Sequence, residues 1–454
     1  MELKKTPISI QNPKERINNC DEVVLGYDEE KALLEANRCL NCINHPCVDG
    51  CPINNKIPEF INEIKNKNYE GAYRIISNNS CFPSICSRVC SYNTQCESNC
   101  TMGKMGDAIF IGALERFVTD YHNQIEIKNK KQNGHKVAII GSGPSGLACA
   151  KKLSLFGYEV TVYESKNVIG GILAYGIPEY RLPKAVIEKE VKTLKELGTK
   201  FVLNTSVGKD ILIKDLQKEY EAIYIAIGTG VSKMMNIPGE NLKNVYRAND
   251  FLYNFNLNRQ SLFEEINNKK VVVVGGGNVA IDVARSAVRL KASDVEIIYR
   301  RSIDEMPANK EELLEAEQEG VKLTILTNPV EILDNENKKG VVNTMKCIKM
   351  ELGDPDSKGR RTPIEIKGSE YYMDTDVIVM AISSFAEQDI VNTTNGLVSN
   401  KWGYIEVDDN NKTTIDGIYA GGDYVTGPKT VVHAMKTGQD VAESIDKYIQ
   451  NMYK

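Results

Sequence analysis

Residues 136–165 read KVAIIGSGPSGLACAKKLSLFGYEVTVYES, and residues 270–302 read KVVVVGGGNVAIDVARSAVRLKASDVEIIYRRS. Each opens on an apolar strand, turns through glycines into a helix of small residues, and returns to a second apolar strand. That pattern is a βαβ unit, and continuous rather than alternating apolar strands belong to parallel sheets covered on both faces. The two units start about 134 residues apart, too far for a solenoid repeat, so they head two separate nucleotide-binding domains.

In Gly141-Ser142-Gly143-Pro144-Ser145-Gly146 the first glycine allows the tight turn. The second lets the backbone approach a pyrophosphate, and the third lets helix pack on strand. A diphosphate then sits on the helix N-terminus, where unpaired N–H groups and the helix dipole favour negative charge. Glu164, ending the second strand, is placed to accept hydrogen bonds from ribose hydroxyls. The second turn, Gly275-Gly276-Gly277-Asn278-Val279-Ala280, repeats the scheme, but its second strand ends in Tyr299-Arg300-Arg301. An acid there would repel a 2′-phosphate, whereas guanidinium groups pair with it, so this site is expected to prefer NADP(H). The plainer alternative leaves both arginines as solvated surface charges.

Two dinucleotide folds in one chain suggest one bound flavin and one exchangeable nicotinamide. The first fold is the flavin candidate. Far downstream, residues 417–423 read GIYAGGD, a buried strand and turn whose Asp423, after Gly421 and Gly422, could hold a cofactor's linker. An amphipathic helix from Thr430 to Tyr448 closes the chain. The expected architecture is α/β, with two Rossmann-like domains, the second inserted in the first, behind an N-terminal, mainly α-helical iron–sulfur domain. The boundaries read as 1–133 for the helical domain, 134–242 with 384–454 for the flavin domain, and 243–383 for the NADP(H) domain. The polar stretch KNKKQNGHK at 128–136 reads as a linker, and Asp28 to Cys39 and Ile57 to Ser77 as helices.

The 454 residues exceed what one core supports. A net charge of −5, with basic and acidic residues interleaved, lacks the basic surface that nucleic acid requires. The start has no signal-like apolar run and no later stretch could span a membrane, so a cytoplasmic protein is expected. Ten of the twelve cysteines (20, 39, 42, 47, 51, 81, 86, 90, 96 and 100) crowd the first 100 residues. In a reducing compartment that crowding means metal rather than disulfides. The blocks are Cys39-x2-Cys42-x4-Cys47-x3-Cys51-Pro52 and Cys86-x3-Cys90-x5-Cys96-x3-Cys100. The first resembles the ferredoxin run with its terminal Cys-Pro, which suggests two [4Fe-4S] clusters; a pair of structural zinc sites is the competing reading. Cys149 and Cys347 read as small core residues. There is no Cys-x-x-Cys beside the first nucleotide fold, and with four histidines in the chain, acid–base chemistry is secondary to hydride transfer.

Six stretches, ANRCLNCINHPCVDGCPINNKIPEFI, GSGPSGLACAKKL, GGILAYGIPEYRLPK, GGGNVAIDVARSAVRL, YRRSIDEMPA and AGGDYVTGPKTVVHAM, together resemble the flavoprotein small subunit of NADPH-dependent glutamate synthase over nearly the whole chain. The stand-alone form is similar to the large subunit of NADH-dependent reduced ferredoxin:NADP oxidoreductase. The resemblance implies FAD in the first fold, with further contacts at Gly171, Arg181, Gly228, Gly422, Asp423, Thr430 and Val431, NADP(H) in the second, and two [4Fe-4S] clusters. It assigns Cys39, Cys42, Cys47 and Cys100 to one cluster and Cys51, Cys90, Cys96 and the carboxylate Glu115 to the other. Cys20, Cys81 and Cys86 are left without metal unless Cys86 replaces Glu115. The implied partner is an electron-donating or electron-accepting protein: a glutamate synthase large subunit, a ferredoxin or a small flavoprotein chain. A homo-oligomer is a further possibility. At this length no glutaminase or synthase barrel is expected, so the chain alone should not make glutamate. One departure stands out. Relatives carry A-I-G-x-x-P where this chain has Ala381-Ile382-Ser383-Ser384-Phe385, which puts the hinge near the inserted domain in question.

Overall fold

The computed structural model describes residues 2–122, 131–335, 338–356 and 359–453; the first residues of the polar stretch at 128–136 lie outside them. The first glycine unit lies in a five-stranded parallel sheet, ordered Ile418–Ala420, Ala222–Ile225, Lys136–Ile140, Glu159–Tyr163, Lys200–Val202. Its edge strand Ile418–Ala420 comes from the far end of the chain, so this domain is closed by residues that follow the second one. The second unit lies in a parallel sheet of the same size, ordered Lys322–Ile325, Asp294–Tyr299, Lys270–Val274, Val377–Met380, Val245–Arg247. In each sheet the strand before the glycine turn is central and buried on both faces, which is why Val137 to Ile140 and Val271 to Val274 alternate with nothing polar.

A second layer on the inserted domain is antiparallel, built on the long strand Lys338–Pro355 between Thr327–Asn335 and Arg361–Glu365. The two chain passages between the Rossmann domains pair as a short ribbon, Val231–Ser232 against Ser384–Phe385. Ser383, in the segment that departs from the family pattern, has φ 153°, a backbone that disfavours any side chain.

The N-terminal domain is helical apart from a short ribbon, Ser9–Ile10 with Val24–Gly26. The helix Glu29–Asn37 starts at Asp28, whose carboxylate accepts the Lys31 N–H, as its N-cap sequence predicts. The single helix expected over Ile57 to Ser77 is instead two, Ile57–Lys65 and Tyr69–Asn79. Lys67 between them is left-handed at φ 57°, and Asn68 caps the second by accepting the Gly71 N–H. Two polar asparagines around a turn compete with the helix backbone, so the hydrophobic period carries across a real break. The closing helix runs Val431–Met452, with Thr430 at its N-cap. Among the described residues no helix is long and apolar enough to cross a membrane.

Candidate functional site

The first glycine turn shows which of its glycines faces a ligand. A Cβ on Gly141 would meet the Ala226 carbonyl oxygen at 2.6 Å, and one on Gly146 would meet the Gly141 oxygen at 2.0 Å. Both are therefore required by the protein's own packing. A Cβ on Gly143 meets nothing within 4 Å, so that glycine opens on empty space. Gly143 is the N-cap and Pro144 the first residue of the helix Pro144–Phe156, so its unpaired N–H groups face that space. Gly171, left-handed at φ 57°, packs on Gly143, where a Cβ would come within 2.6 Å of the Gly143 Cα. Downstream, Gly422 at φ 63° touches Ser145, and a Cβ on Gly438 would lie 2.1 Å from the Ser145 oxygen. The fold thus brings residues 141–146, 171 and 422–423 around one cleft, with the start of helix Val431–Met452 beside them. Gly228 at φ 66° follows the strand next to the turn and has open space above it.

Two carboxylates belong to this cleft. Glu164 is buried; its Oε2 accepts from the Ser142 N–H at 3.0 Å and the Ser142 hydroxyl at 2.6 Å, and its Oε1 from the Lys166 N–H at 2.9 Å. It braces the glycine loop; with the Ser165 hydroxyl also on Oε1 at 3.3 Å, its four lone-pair sites are all taken, so a ribose hydroxyl would have to replace one of these donors. Asp423 is held up to about 6 by burial, with its Oδ1 accepting the Lys429 N–H. A half-desolvated carboxylate with one backbone partner suits a hydroxyl donor. Arg181 does not join the cleft: it is tied to Asp282 at 2.7 Å and to Glu312 at 2.5 Å, both in the inserted domain.

The second turn follows the same rule. A Cβ on Gly275 would strike the Ala381 oxygen at 2.2 Å, while one on Gly277 meets only Pro307, at 4.0 Å. Asn278 opens the helix Asn278–Arg289 and its Oδ1 accepts the Asn309 N–H at 2.8 Å; Val279 is partly exposed at the mouth and Ala280 is buried. The two arginines separate. Arg301 is buried, donating from Nε to the Arg361 oxygen at 2.8 Å. Arg300 is exposed, and among the described residues no acid pairs with it. Partial burial, then Arg301 and Arg360, lower its pKa. Arg360, just before the strand Arg361–Glu365, carried no sequence signal of its place beside Arg300.

The thiols gather around two cavities. Cys39, Cys42, Cys47 and Cys100 line the first; Cys51, Cys90, Cys96 and Glu115 line the second, and so does Cys86. The two linings are alike in chemistry, four thiols in the first and four thiols with one carboxylate in the second. Each draws on both cysteine blocks. Among the described residues, no three His, Cys, Asp or Glu side chains close on one point, as a lone ion with metal–sulfur contacts of about 2.3 Å would need. Backbone N–H groups of Ile53 and Asn55 donate to Cys51, ready to hold a thiolate. Burial pushes the Glu115 carboxyl up to about 7 against a hydrogen bond from the Tyr92 hydroxyl at 3.1 Å. Cys20 packs on the inserted domain's core and Cys81 lies near the Ala148 oxygen, away from both linings; Cys149 and Cys347 are buried core.

Tyr92, Gln95 and Val432 also line the second cavity. Gln95 Nε2 donates to Thr430 Oγ1 at 3.2 Å, so this cavity abuts the helix start that borders the first nucleotide cleft. Nothing local in the sequence marks these residues, because 335 positions separate the two hydrogen-bond partners.

These sites define a two-domain pyridine nucleotide oxidoreductase fused to an iron–sulfur domain. Residues 16–127 match the family described as dihydropyrimidine dehydrogenase domain II, 4Fe-4S cluster, and residues 135–438 that described as pyridine nucleotide-disulphide oxidoreductase. The chain is 34% identical to the glutamate synthase [NADPH] small chain of Azospirillum brasilense, over 96% of this chain and 92% of that one. It belongs to the glutamate synthase small-chain family of NADPH-dependent flavin and iron–sulfur oxidoreductases. It is also 37% identical to the NADP(+)-dependent formate dehydrogenase subunit beta of Moorella thermoacetica over 94% of this chain, but spans only 64% of that subunit. In fold it is similar to Mycobacterium tuberculosis FprA in complex with NADPH, with a TM-score of 0.60 at 21% identity over 70% of this chain and 85% of that one.

Proposed function

We propose that this chain connects NADPH, a two-electron carrier, to a one-electron protein partner through FAD and two [4Fe-4S] clusters. When bound, the flavin supplies interchange between hydride and single electrons, and the clusters supply one-electron carriage. Gly143 and the start of helix Pro144–Phe156 take the FAD diphosphate, Glu164 its ribose and Asp423 its linker. Gly277 and the start of helix Asn278–Arg289 take the NADPH diphosphate, and Arg300 its 2′-phosphate. Cys39, Cys42, Cys47 and Cys100 hold one cluster; Cys51, Cys90, Cys96 and Glu115 hold the other.

The observation that carries this reading is the seat of the second cavity. Val432 lines it and Gln95 reaches from it to Thr430, so it adjoins the flavin cleft. The first cavity is lined by no residue of the flavin domain, and exposed Leu40 is part of its wall. That order leads from nucleotide to cleft to buried cavity to surface, where a partner can dock. Ten thiols kept from disulfide formation also agree with a reducing cytoplasm. The partner is a synthase large subunit, a ferredoxin or a small flavoprotein chain. Anaerobic purification is expected to give a yellow-brown protein with one FAD and about eight iron atoms, reduced by NADPH in preference to NADH. A colourless or zinc-containing protein would sink the proposal.

A further inference from the structure

Four arginines meet just past the strand Asp294–Tyr299, and their partners divide them into two kinds. That strand end lies against the second glycine turn. A Cβ on Gly276 would meet the Tyr299 ring at 2.6 Å, and the Tyr299 hydroxyl donates to the Glu305 oxygen at 2.9 Å. Arg300 and Arg301 follow directly in sequence. Arg360 and Arg361 arrive from the antiparallel layer, where the chain passes from the strand Lys338–Pro355 to the strand Arg361–Glu365. Two hydrogen bonds seat that passage on the glycine-turn side: Arg301 Nε donates to the Arg361 oxygen, and Arg361 Nε to the Glu305 carboxylate, both at 2.8 Å. Two of the guanidinium groups are thereby spent.

Arg300 and Arg360 are the other two, and both are exposed. The backbone of Arg360 is fixed, its N–H donating to Asp356 Oδ1 at 3.1 Å and its oxygen accepting the Asp356 N–H at 2.7 Å. Its head is not. Arg360 Nε lies 3.9 Å from Asp356 Oδ2, and the same oxygen lies 3.9 Å from Arg301, both beyond hydrogen-bonding reach. That shared carboxylate holds the Arg360 head close to the strand end that carries Arg300. The carboxylates in contact with the four guanidinium groups are two, Glu305 and Asp356, which leaves two positive charges over. A phosphate monoester near neutral pH carries close to two negative charges. A single arginine would match only half of that charge.

We propose that Arg360 is a second specificity-determining residue of the nucleotide site, closing with Arg300 on the 2′-phosphate of NADP(H) from the antiparallel layer. The pinned backbone supplies the position, and the unspent guanidinium supplies a fork suited to phosphate oxygens. The inference rests on the reading that Gly277 and the start of helix Asn278–Arg289 take the diphosphate of that nucleotide.

The test is calorimetric titration of the full chain with NADP+ and with NAD+, which differ only in the 2′-phosphate, so that binding is read without turnover. Arg360→Ala is expected to weaken NADP+ about tenfold and to leave NAD+ unchanged. Arg360→Lys, which keeps the charge but not the fork, is expected to return part of the loss. Combined with Arg300→Ala, Arg360→Ala is expected to give a chain that binds the two nucleotides alike. Unchanged NADP+ affinity in Arg360→Ala overturns the proposal. So does an equal loss for both nucleotides, which marks damage to the fold rather than a lost phosphate contact. Should Arg360→Ala not accumulate as folded protein, Arg360→Gln, which keeps the side-chain stem, is read by the same two criteria. Wild-type protein that binds NADP+ no tighter than NAD+ refutes the NADP(H) reading instead, and is recognised before any variant is compared.

Discussion

Single residues here are separated by what surrounds them more than by their type. Arg300 and Arg301 are neighbours in sequence, yet Arg301 is spent on the Arg361 carbonyl while Arg300 stands exposed beside two other guanidinium groups. A charge-assisted hydrogen bond to a phosphate contributes about 1.5–3 kcal/mol. Arg300→Ala is therefore expected to lower kcat/KM for NADPH about 10- to 100-fold and to leave NADH almost untouched. Steady-state kinetics with both nucleotides check this, and an unchanged ratio would refute the assignment. Ser383 presents the opposite case, a residue the backbone does not want. With φ at 153°, Ser383→Gly relieves a strain of order 1–3 kcal/mol. We expect a gain of about 1 kcal/mol in urea unfolding with the hinge path unchanged.

At the scale of elements, the spacing of helix against strand controls the cofactor clefts. A Cβ on Gly146 would lie 2.0 Å from the Gly141 carbonyl oxygen, a backbone atom that cannot swing aside. Gly146→Ala is expected to push the helix Pro144–Phe156 off its strand and yield protein depleted in flavin, measured by its absorbance after gel filtration. In the N-terminal domain the turn at Lys67 divides what periodicity alone presents as one helix. Asn68 supplies the Gly71 N–H with its acceptor, so Asn68→Ala should cost about 1 kcal/mol of stability, read from chemical denaturation. The apolar faces of both flanking helices were legible from their spacing, but the break was not. It depends on one left-handed residue whose local preference is weak until packing demands it.

Across the whole molecule, three domains meet at one buried carboxylate. Glu319 accepts from Arg16 of the N-terminal segment at 2.7 Å and from Arg285 and Arg289 of the inserted domain at 2.8 and 2.7 Å. Both of those guanidinium groups stack over Tyr180, from the flavin domain, whose carbonyl accepts the Val23 N–H. Arg181 of the flavin domain reaches Asp282 and Glu312 nearby. Burial pushes the Glu319 carboxyl up, but hydrogen bonds from Arg289 and Arg285 outweigh it and hold it at about 2. Because the folded value lies below the ordinary 4.5, this stabilisation is complete above about pH 4.5 and is lost as pH falls toward about 2. Glu319→Gln leaves buried guanidinium groups without their charge and should cost about 3–5 kcal/mol near neutrality. The same change should flatten the acid limb of the stability profile, which thermal melts between pH 3 and 7 would reveal.

What the sequence determined by itself were the features written within a few residues. The two glycine turns, their strands, Glu164, the paired arginines and the crowding of cysteines each express a short-range requirement of backbone geometry or ligand chemistry. They sufficed for the fold class, the insertion of one Rossmann domain in another and the family. Only the tertiary structure decided the rest. It drew each thiol-lined cavity from both cysteine blocks, added Cys86 to one of them, joined Gln95 to Thr430 across the chain and turned Arg181 from the flavin cleft to a bridge between domains. Those outcomes depend on which distant side chains share a buried space. There the need to pair every charge and hydrogen-bonding group, which no local pattern records, sets each residue's partners.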